Sequence, residues 1–186
     1  VISVPAAVLS ALAAAARRGV LFKGGGALET FGAVDTFVFD KTGTLTEGKM
    51  RLSDTRTLGD LSSEGVLRIA GAPEQHSEHP LARAIVDEAR KEHGSLPEPS
   101  DVVALPGRGV EGTVEGRTWW IGNRRFASDH GVEPAQAAHD ALDALEREGA
   151  TAVWMGEGSR LFAAFGIVDG VRVDAKEAVA SLRSRG

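Results

Sequence analysis

Apolar residues run almost unbroken from Val1 to Ala16, interrupted only by Ser3, Pro5 and Ser10. The stretch is shorter than the roughly 20 residues needed to cross a bilayer, and it lacks the basic start of a signal peptide. Arg17-Arg18 follows at once, as where a helix emerges on the cytoplasmic side of a membrane. An alanine-rich helix buried in a soluble domain fits the same composition. Gly24–Gly26 then breaks the pattern as a joint or linker, Ala27–Ala33 fits a short helix, and Val34–Phe39 reads as a strand.

Beyond residue 49 the periods alternate. Met50–Leu58 predicts a strand. Ser63–Ala70 predicts a helix with Val66, Leu67 and Ile69 on or near one face. Leu81–His93 predicts a helix whose inner face carries Leu81, Ala84, Ile85 and Ala89. Residues 102–105, 109–114 and 117–121 read as a β-meander, with Glu115-Gly116 as a hairpin turn. Trp119 and Trp120 are neighbours on its third strand and must face opposite ways, so one is expected in the core and the other more exposed. Pro134–Glu148 predicts a helix starting at a proline, with Ala138, Leu142 and Leu145 inside. Two strands, Thr151–Met155 and Leu161–Val168, and a helix, Asp174–Arg183, close the chain.

Composition narrows the class. The 186 residues suffice for one domain or two small ones, and a net charge of −5 leaves no basic footprint for nucleic acid. There is no cysteine, which excludes disulfides and thiolate metal sites and fits a reducing compartment. The chain opens on Val1 rather than Met and reads as a piece of a longer protein.

The chemistry concentrates in Asp40-Lys41-Thr42-Gly43-Thr44-Leu45-Thr46, directly after the apolar run Val34–Phe39. A carboxylate delivered by a strand onto a Gly/Thr turn can act as a nucleophile toward phosphate. The turn supplies N–H groups for phosphoryl oxygens, and Lys41 or a neighbouring lysine offsets their charge. A plain surface turn is the alternative, since Asp, Thr and Gly are ordinary turn residues. The heptad resembles the phosphorylation motif of P-type ATPases, the ion pumps of the haloacid-dehalogenase superfamily. Superfamily phosphatases usually carry a second Asp two places after the nucleophile; here that residue is Thr42, a poor base, which suits a long-lived phosphoenzyme.

Glu74-Gln75-His76-Ser77-Glu78-His79-Pro80-Leu81 precedes the strongest helical pattern. Pro80 suits a first helical turn, which places His79 at the helix N-terminus, where anionic ligands are favoured. A simple capping turn competes with this reading, as does a metal site built from His76, His79, Glu74 and Glu78. Ser-Glu-His-Pro-Leu resembles the His-Pro motif of heavy-metal P-type ATPases, which implies that Glu74 and His79 contact or orient the adenine end of ATP. Pro106–Gly112 contains a literal Gly-x-Gly-x-x-Gly, but β-type sequence follows it instead of the helix that a dinucleotide fingerprint requires. The resemblance assigns Gly107 and Gly109 to letting ATP approach the backbone, and Gly122-Asn123 to the nucleotide's surroundings. Turns that need glycine are the alternative, foremost for Gly112. Asp169 and Arg172 resemble the Asp-x-x-Arg segment near the phosphorylation site, although an exposed turn would explain them alone.

The resemblance covers essentially the whole chain. It implies an α/β architecture: an incomplete haloacid-dehalogenase-like (Rossmann-like) phosphorylation domain in residues 19–48 and 159–186, with an inserted α+β nucleotide-binding domain in 49–158. Residues 1–18 would be the cytoplasmic end of a transmembrane helix. The implied reaction is transfer of phosphate from ATP to Asp40, with Mg²⁺ held by Asp40 and the main-chain carbonyl of Thr42. The implied setting is a cell-membrane pump for a heavy-metal cation whose transport site lies outside the chain, and the region is cytoplasmic. Val1–Gly19 resembles the zinc, cadmium and cobalt branch more than the copper branch. The family's magnesium motif is expected beyond Gly186, so the chain alone is expected to bind ATP and turn it over negligibly. A nucleotide-binding module without turnover and a soluble phosphatase of the superfamily are the alternative functions.

Overall fold

The computed structural model describes residues 3–184. Val1, Ile2, Arg185 and Gly186 lie outside them, so the first two positions of the apolar stretch do as well. The chain divides into two compact units, Val1–Asp40 with Lys176–Gly186, and Lys41–Ala175.

In the first unit α1 spans Ser3–Ala16 and α2 spans Gly25–Gly32. No helix among the described residues is long and apolar enough to cross a membrane. A Cβ on Gly25 would fall 2.8 Å from Val8 Cγ1, so glycine is what lets α2 approach α1 so closely. Phe22, Phe31, Phe37 and Phe39 form a chain of edge-on and stacked aromatic contacts. The strand expected over Val34–Phe39 is not formed. A strand is held by ladder bonds to a neighbour, and every strand among the described residues pairs within the other unit. Val38 is accordingly 93% exposed.

The second unit is built on a six-stranded antiparallel sheet. Its strands are β1 (Thr46–Thr57), β2 (Ser100–Leu105), β3 (Gly109–Val114), β4 (Arg117–Gly122), β5 (Thr151–Glu157) and β6 (Arg160–Val171), in the order β1-β6-β5-β4-β3-β2. The meander forms as expected. Glu115 and Gly116 both adopt positive φ (52° and 78°) at the β3–β4 turn, as a two-residue hairpin requires. The sheet runs past the boundaries expected for an inserted domain at 49 and 158. β6 pairs with both β1 and β5, so residues 160–171 complete this sheet instead of returning to a parallel one.

Helices cover both faces. α3 (Ser63–Glu74) and α4 (Pro80–His93) pack on one side with Trp119, Ile121, Val153, Met155 and Phe165. α5 (Arg124–Asp129) and α6 (Gln136–Arg147) pack on the other with Trp120, Trp154 and Ala164. The alternation of Trp119/Ile121 against Trp120, and of Val153/Met155 against Ala152/Trp154, is the period of two that sends adjacent residues to opposite faces. It also corrects the expectation for the tryptophan pair. Trp119 and Trp120 are both buried, at 1% and 0% exposure, because each face has its own helical layer. α6 begins at Gln136, two residues after Pro134, which lies outside the helix. Gly71 lets α3 and α4 touch: its Cβ would sit 2.8 Å from Ala89 Cβ.

Candidate nucleotide and phosphoryl site

Ser77 and His79 shape the start of α4. The Ser77 hydroxyl accepts from the His79 N–H at 3.2 Å, and His79 Nδ1 accepts from the Leu81 N–H at 3.3 Å. The ring is thus an N-cap. With Nδ1 accepting, the neutral ring carries its proton on Nε2, which stays available as a donor. Pro80 takes the first helical position.

Across from this helix start, the loop between β2 and β3 holds Gly107 at φ +70°, with no atom within 4 Å of where a Cβ would stand. Gly109 and Gly122 are direct partners on β3 and β4. A Cβ on Gly109 would lie 2.0 Å from the Ile121 carbonyl oxygen and 2.7 Å from Gly122 Cα; one on Gly122 would lie 2.5 Å from Phe126. These two glycines are therefore required by strand and helix packing, a demand that stands beside the ligand access expected of Gly109. Gly112 also serves packing, since its Cβ would meet Pro73 of α3 at 3.2 Å. Asn123 joins the pieces. Its amide donates to the Gly107 carbonyl at 2.8 Å and its oxygen accepts from the Phe126 N–H at 3.1 Å, capping α5.

These elements enclose a cavity of about 360 Å³. Glu74, His79, Gly107, Gly109, Gly122 and Asn123, six residues singled out in the sequence for one ligand, all line it. Pro80 does not. Ser77, Arg108 and Thr151 also line it; Ser77 and Arg108 lie inside the motifs, whereas Thr151, at the start of β5, carried no signal in the sequence. The walls are otherwise aliphatic, with Leu81, Ile85, Val110 and Val153 among them.

Burial at the end of α3 pushes the Glu74 carboxyl up to about 7 from its ordinary 4.5. Below pH 4.5 the group is neutral folded or unfolded. Between 4.5 and 7 the unfolded chain gives up the proton while the folded chain keeps it, so stability falls as pH rises through this window. The cumulative effect is about 3 kcal/mol at 1.36 kcal/mol per pH unit. Glu74→Gln is expected to remove that slope and to stabilise the chain at pH 8. Urea midpoints measured from pH 5 to 8 check this, and parallel curves for the two proteins would contradict it.

Sequence positions 41–46 form the second feature. Thr42 (φ −78°, ψ 122°) and Gly43 (φ 76°, ψ −5°) have the angles of the two central residues of a type II turn, which calls for glycine at the second. Thr46, 5% exposed, ties this turn together. Its hydroxyl accepts from the Gly43 N–H at 3.2 Å and lies 3.0 Å from the Lys41 carbonyl and 2.6 Å from Asp169 Oδ2. Asp169, on β6, thereby reaches the turn through Thr46, whose importance the sequence reading missed. Asp169 Oδ1 is buried and receives no hydrogen bond from the described residues. Arg172 meets the same loop by its main chain, donating to the Leu45 carbonyl at 3.0 Å, while its guanidinium turns to Asp174. Lys41 and Thr44 are exposed, as is Asp40, the last residue of the first unit. Among the described residues no three His, Cys, Asp or Glu side chains converge as a metal site. His76, considered above as a metal ligand, instead faces Glu98 at 3.4 Å.

Residues 34–186 match the family described as haloacid dehalogenase-like hydrolase. The chain belongs to this family. Within the haloacid dehalogenase-like hydrolases its relatives are heavy-metal P-type ATPases. It is 40% identical, over its full length, to a zinc/cadmium/lead-transporting P-type ATPase of Escherichia coli, and 37% identical over 98% of its length to a probable copper-transporting ATPase of Arabidopsis thaliana. It spans 25% and 19% of those two proteins. A solved structure of a zinc-transporting PIB-type ATPase in the E2·Pi state superposes on all of the chain with a TM-score of 0.87 at 40% identity, the chain covering 30% of that protein.

Proposed function

We propose that this chain is the ATP-binding and phosphoryl-accepting part of a membrane pump for heavy-metal cations, facing the cytoplasm, and that Asp40 forms the aspartyl-phosphate. The observation that carries this reading is the convergence of six residues, from three separate sequence motifs, on one cavity. Its aliphatic walls suit a purine, whose flat apolar faces gain from leaving water. Its polar groups are few and convergent. Glu74 can accept from the purine edge when ionised and both donate and accept when protonated, and His79 Nε2 offers a donor. Asn123 positions the Gly107 loop, where main-chain N–H groups without covering side chains suit phosphate.

In the transfer step an Asp40 carboxylate oxygen would bond to the γ-phosphorus as the bridging bond to ADP breaks, and ADP would leave with the bridging oxygen. The Thr42–Gly43 turn, fixed by Thr46 and Asp169, would hold the phosphoryl oxygens near main-chain donors. Asp40 and the Thr42 carbonyl provide one carboxylate and one neutral oxygen. That donor set suits Mg²⁺, which binds through one or two carboxylates together with substrate phosphates and does not need a protein cage. Bound there, Mg²⁺ would neutralise the charge on the transferring group. The relatives named for zinc, cadmium and lead and for copper match at similar identity, so the cargo proposed is a heavy-metal cation as a class.

His79→Gln tests the nucleotide reading. It is expected to weaken ATP binding roughly ten-fold, an ordinary loss for one directed hydrogen bond in a desolvated site. Loss of the cap should cost about 1 kcal/mol, so the fold persists. Calorimetric titration alongside thermal melts distinguishes the two effects. Unchanged ATP affinity would return His79 to capping alone.

A further inference from the structure

The geometry points to Arg108 as a polyphosphate-binding residue of the cavity, held aside by Asp129 until a nucleotide's phosphates draw it off. This rests on the proposal that the cavity takes ATP. Arg108 lies between Gly107 and Gly109 and lines the cavity, and among the described residues it is the only lysine or arginine that does so. The other charged or titratable lining groups are Glu74 and His79. A triphosphate brought into this cavity therefore finds one permanent cation among the described lining residues.

The main chain of Arg108 is fixed from both sides. Its N–H donates to the Leu105 carbonyl at 3.0 Å and its carbonyl accepts from the Asn123 N–H at 3.0 Å. The side chain is committed more loosely. Its guanidinium pairs with the carboxylate of Asp129, at the end of α5 and outside the cavity lining. The two side chains are 37% and 43% exposed. A pair so wet contributes little, because water competes for both partners and holding two side chains in register costs entropy. A polyphosphate offers several anionic oxygens in the fork geometry that guanidinium prefers. The exchange from Asp129 to phosphate thus gains a stronger partner at small loss. Because Asn123 holds the Gly107 and Arg108 carbonyls, the side chain can swing while Gly107 and Gly109 stay in place.

The experiment is calorimetric titration of the chain and three variants with ATP, ADP and adenosine at one low ionic strength, with thermal melts to confirm folding. Arg108→Gln is expected to weaken ATP and ADP roughly ten-fold, as for loss of one charge-assisted pair, and adenosine by less than about two-fold. Arg108→Lys should keep most of the preference for ATP over adenosine. Asp129→Asn should strengthen ATP roughly two- to five-fold, the worth of an exposed ion pair, and leave adenosine unchanged. Equal losses for ATP and adenosine in Arg108→Gln, no loss at all, or weaker ATP binding in Asp129→Asn would overturn the inference while leaving the nucleotide site standing. If the unaltered chain binds neither ATP nor adenosine, the nucleotide reading falls and this inference with it.

Discussion

Asp40→Asn in the full-length protein is expected to abolish the acid-stable phosphoenzyme while ATP affinity stays within about two-fold of the unaltered protein. The amide keeps the shape of the carboxylate but is no nucleophile, so the step is lost outright instead of slowed. Nucleotide affinity should persist because the residues proposed to contact ATP all lie in the second compact unit, whereas Asp40 ends the first. Incubation with ATP labelled at the γ-phosphate, followed by acid quench, reads the phosphoenzyme directly. Label retained by the Asn variant would remove Asp40 from the chemistry. The same experiment separates a pump from a simple binding module, since a module would show no labelling in either protein.

The second large effect is on folding. Gly109→Ala is expected to destabilise the chain by about 3 kcal/mol, because the added methyl is overpacking that backbone cannot relieve. Its Cβ would stand 2.0 Å from a carbonyl oxygen of the neighbouring strand and 2.6 Å from the Phe126 ring. Gly109→Asp should be worse, with a charge forced into the same space. Gly107 provides the contrast. Its positive φ makes Ala unfavourable by about 1 kcal/mol, but open space surrounds the Cβ position. Gly107→Asp, a residue type that tolerates the left-handed region, should therefore leave the fold intact and weaken ATP by setting a negative charge beside its phosphates. Urea unfolding of the three variants decides. A Gly109→Ala chain as stable as the unaltered one would show that β3 and β4 can separate at this point.

This pair of glycines shows what sequence could and could not tell. The Gly-x-Gly spacing picks out residues that line the cavity, because a motif marks a place. It did not distinguish a glycine needed for ligand access from one needed for strand contact, because that depends on which residue lies opposite, and Gly122 is 13 positions away in the register Gly109↔Gly122. The helices and the meander were legible because their periods of 3.6 and 2 are local properties. β6 was legible as a strand but not as a partner of β1, since that pairing joins Thr46 to Val171 across most of the chain. The same long-range closure hid the role of Thr46, which is the last residue of a recognisable heptad and acts by reaching Asp169. α5 was missed altogether. It is a six-residue helix with no room for periodicity, and its signal was Asn123 as an N-cap, a residue already assigned to ligand binding. Val34–Phe39 failed in the opposite direction: its apolar β-type composition is strand-like, but composition cannot supply the neighbour that a ladder needs.

The central claim is that the cavity between the start of α4 and the Gly107 loop is where ATP binds. The most direct test is titration of the ¹⁵N-labelled chain with ATP, following backbone amide resonances. The account predicts saturable shifts concentrated at residues 77–82, 105–109, 121–123 and 151–153, the main-chain segments that line the cavity, with adenosine reproducing those near Glu74 and His79 but not those near Gly107 and Arg108. Saturable shifts confined to the first unit, or no shifts at millimolar ATP, would contradict it.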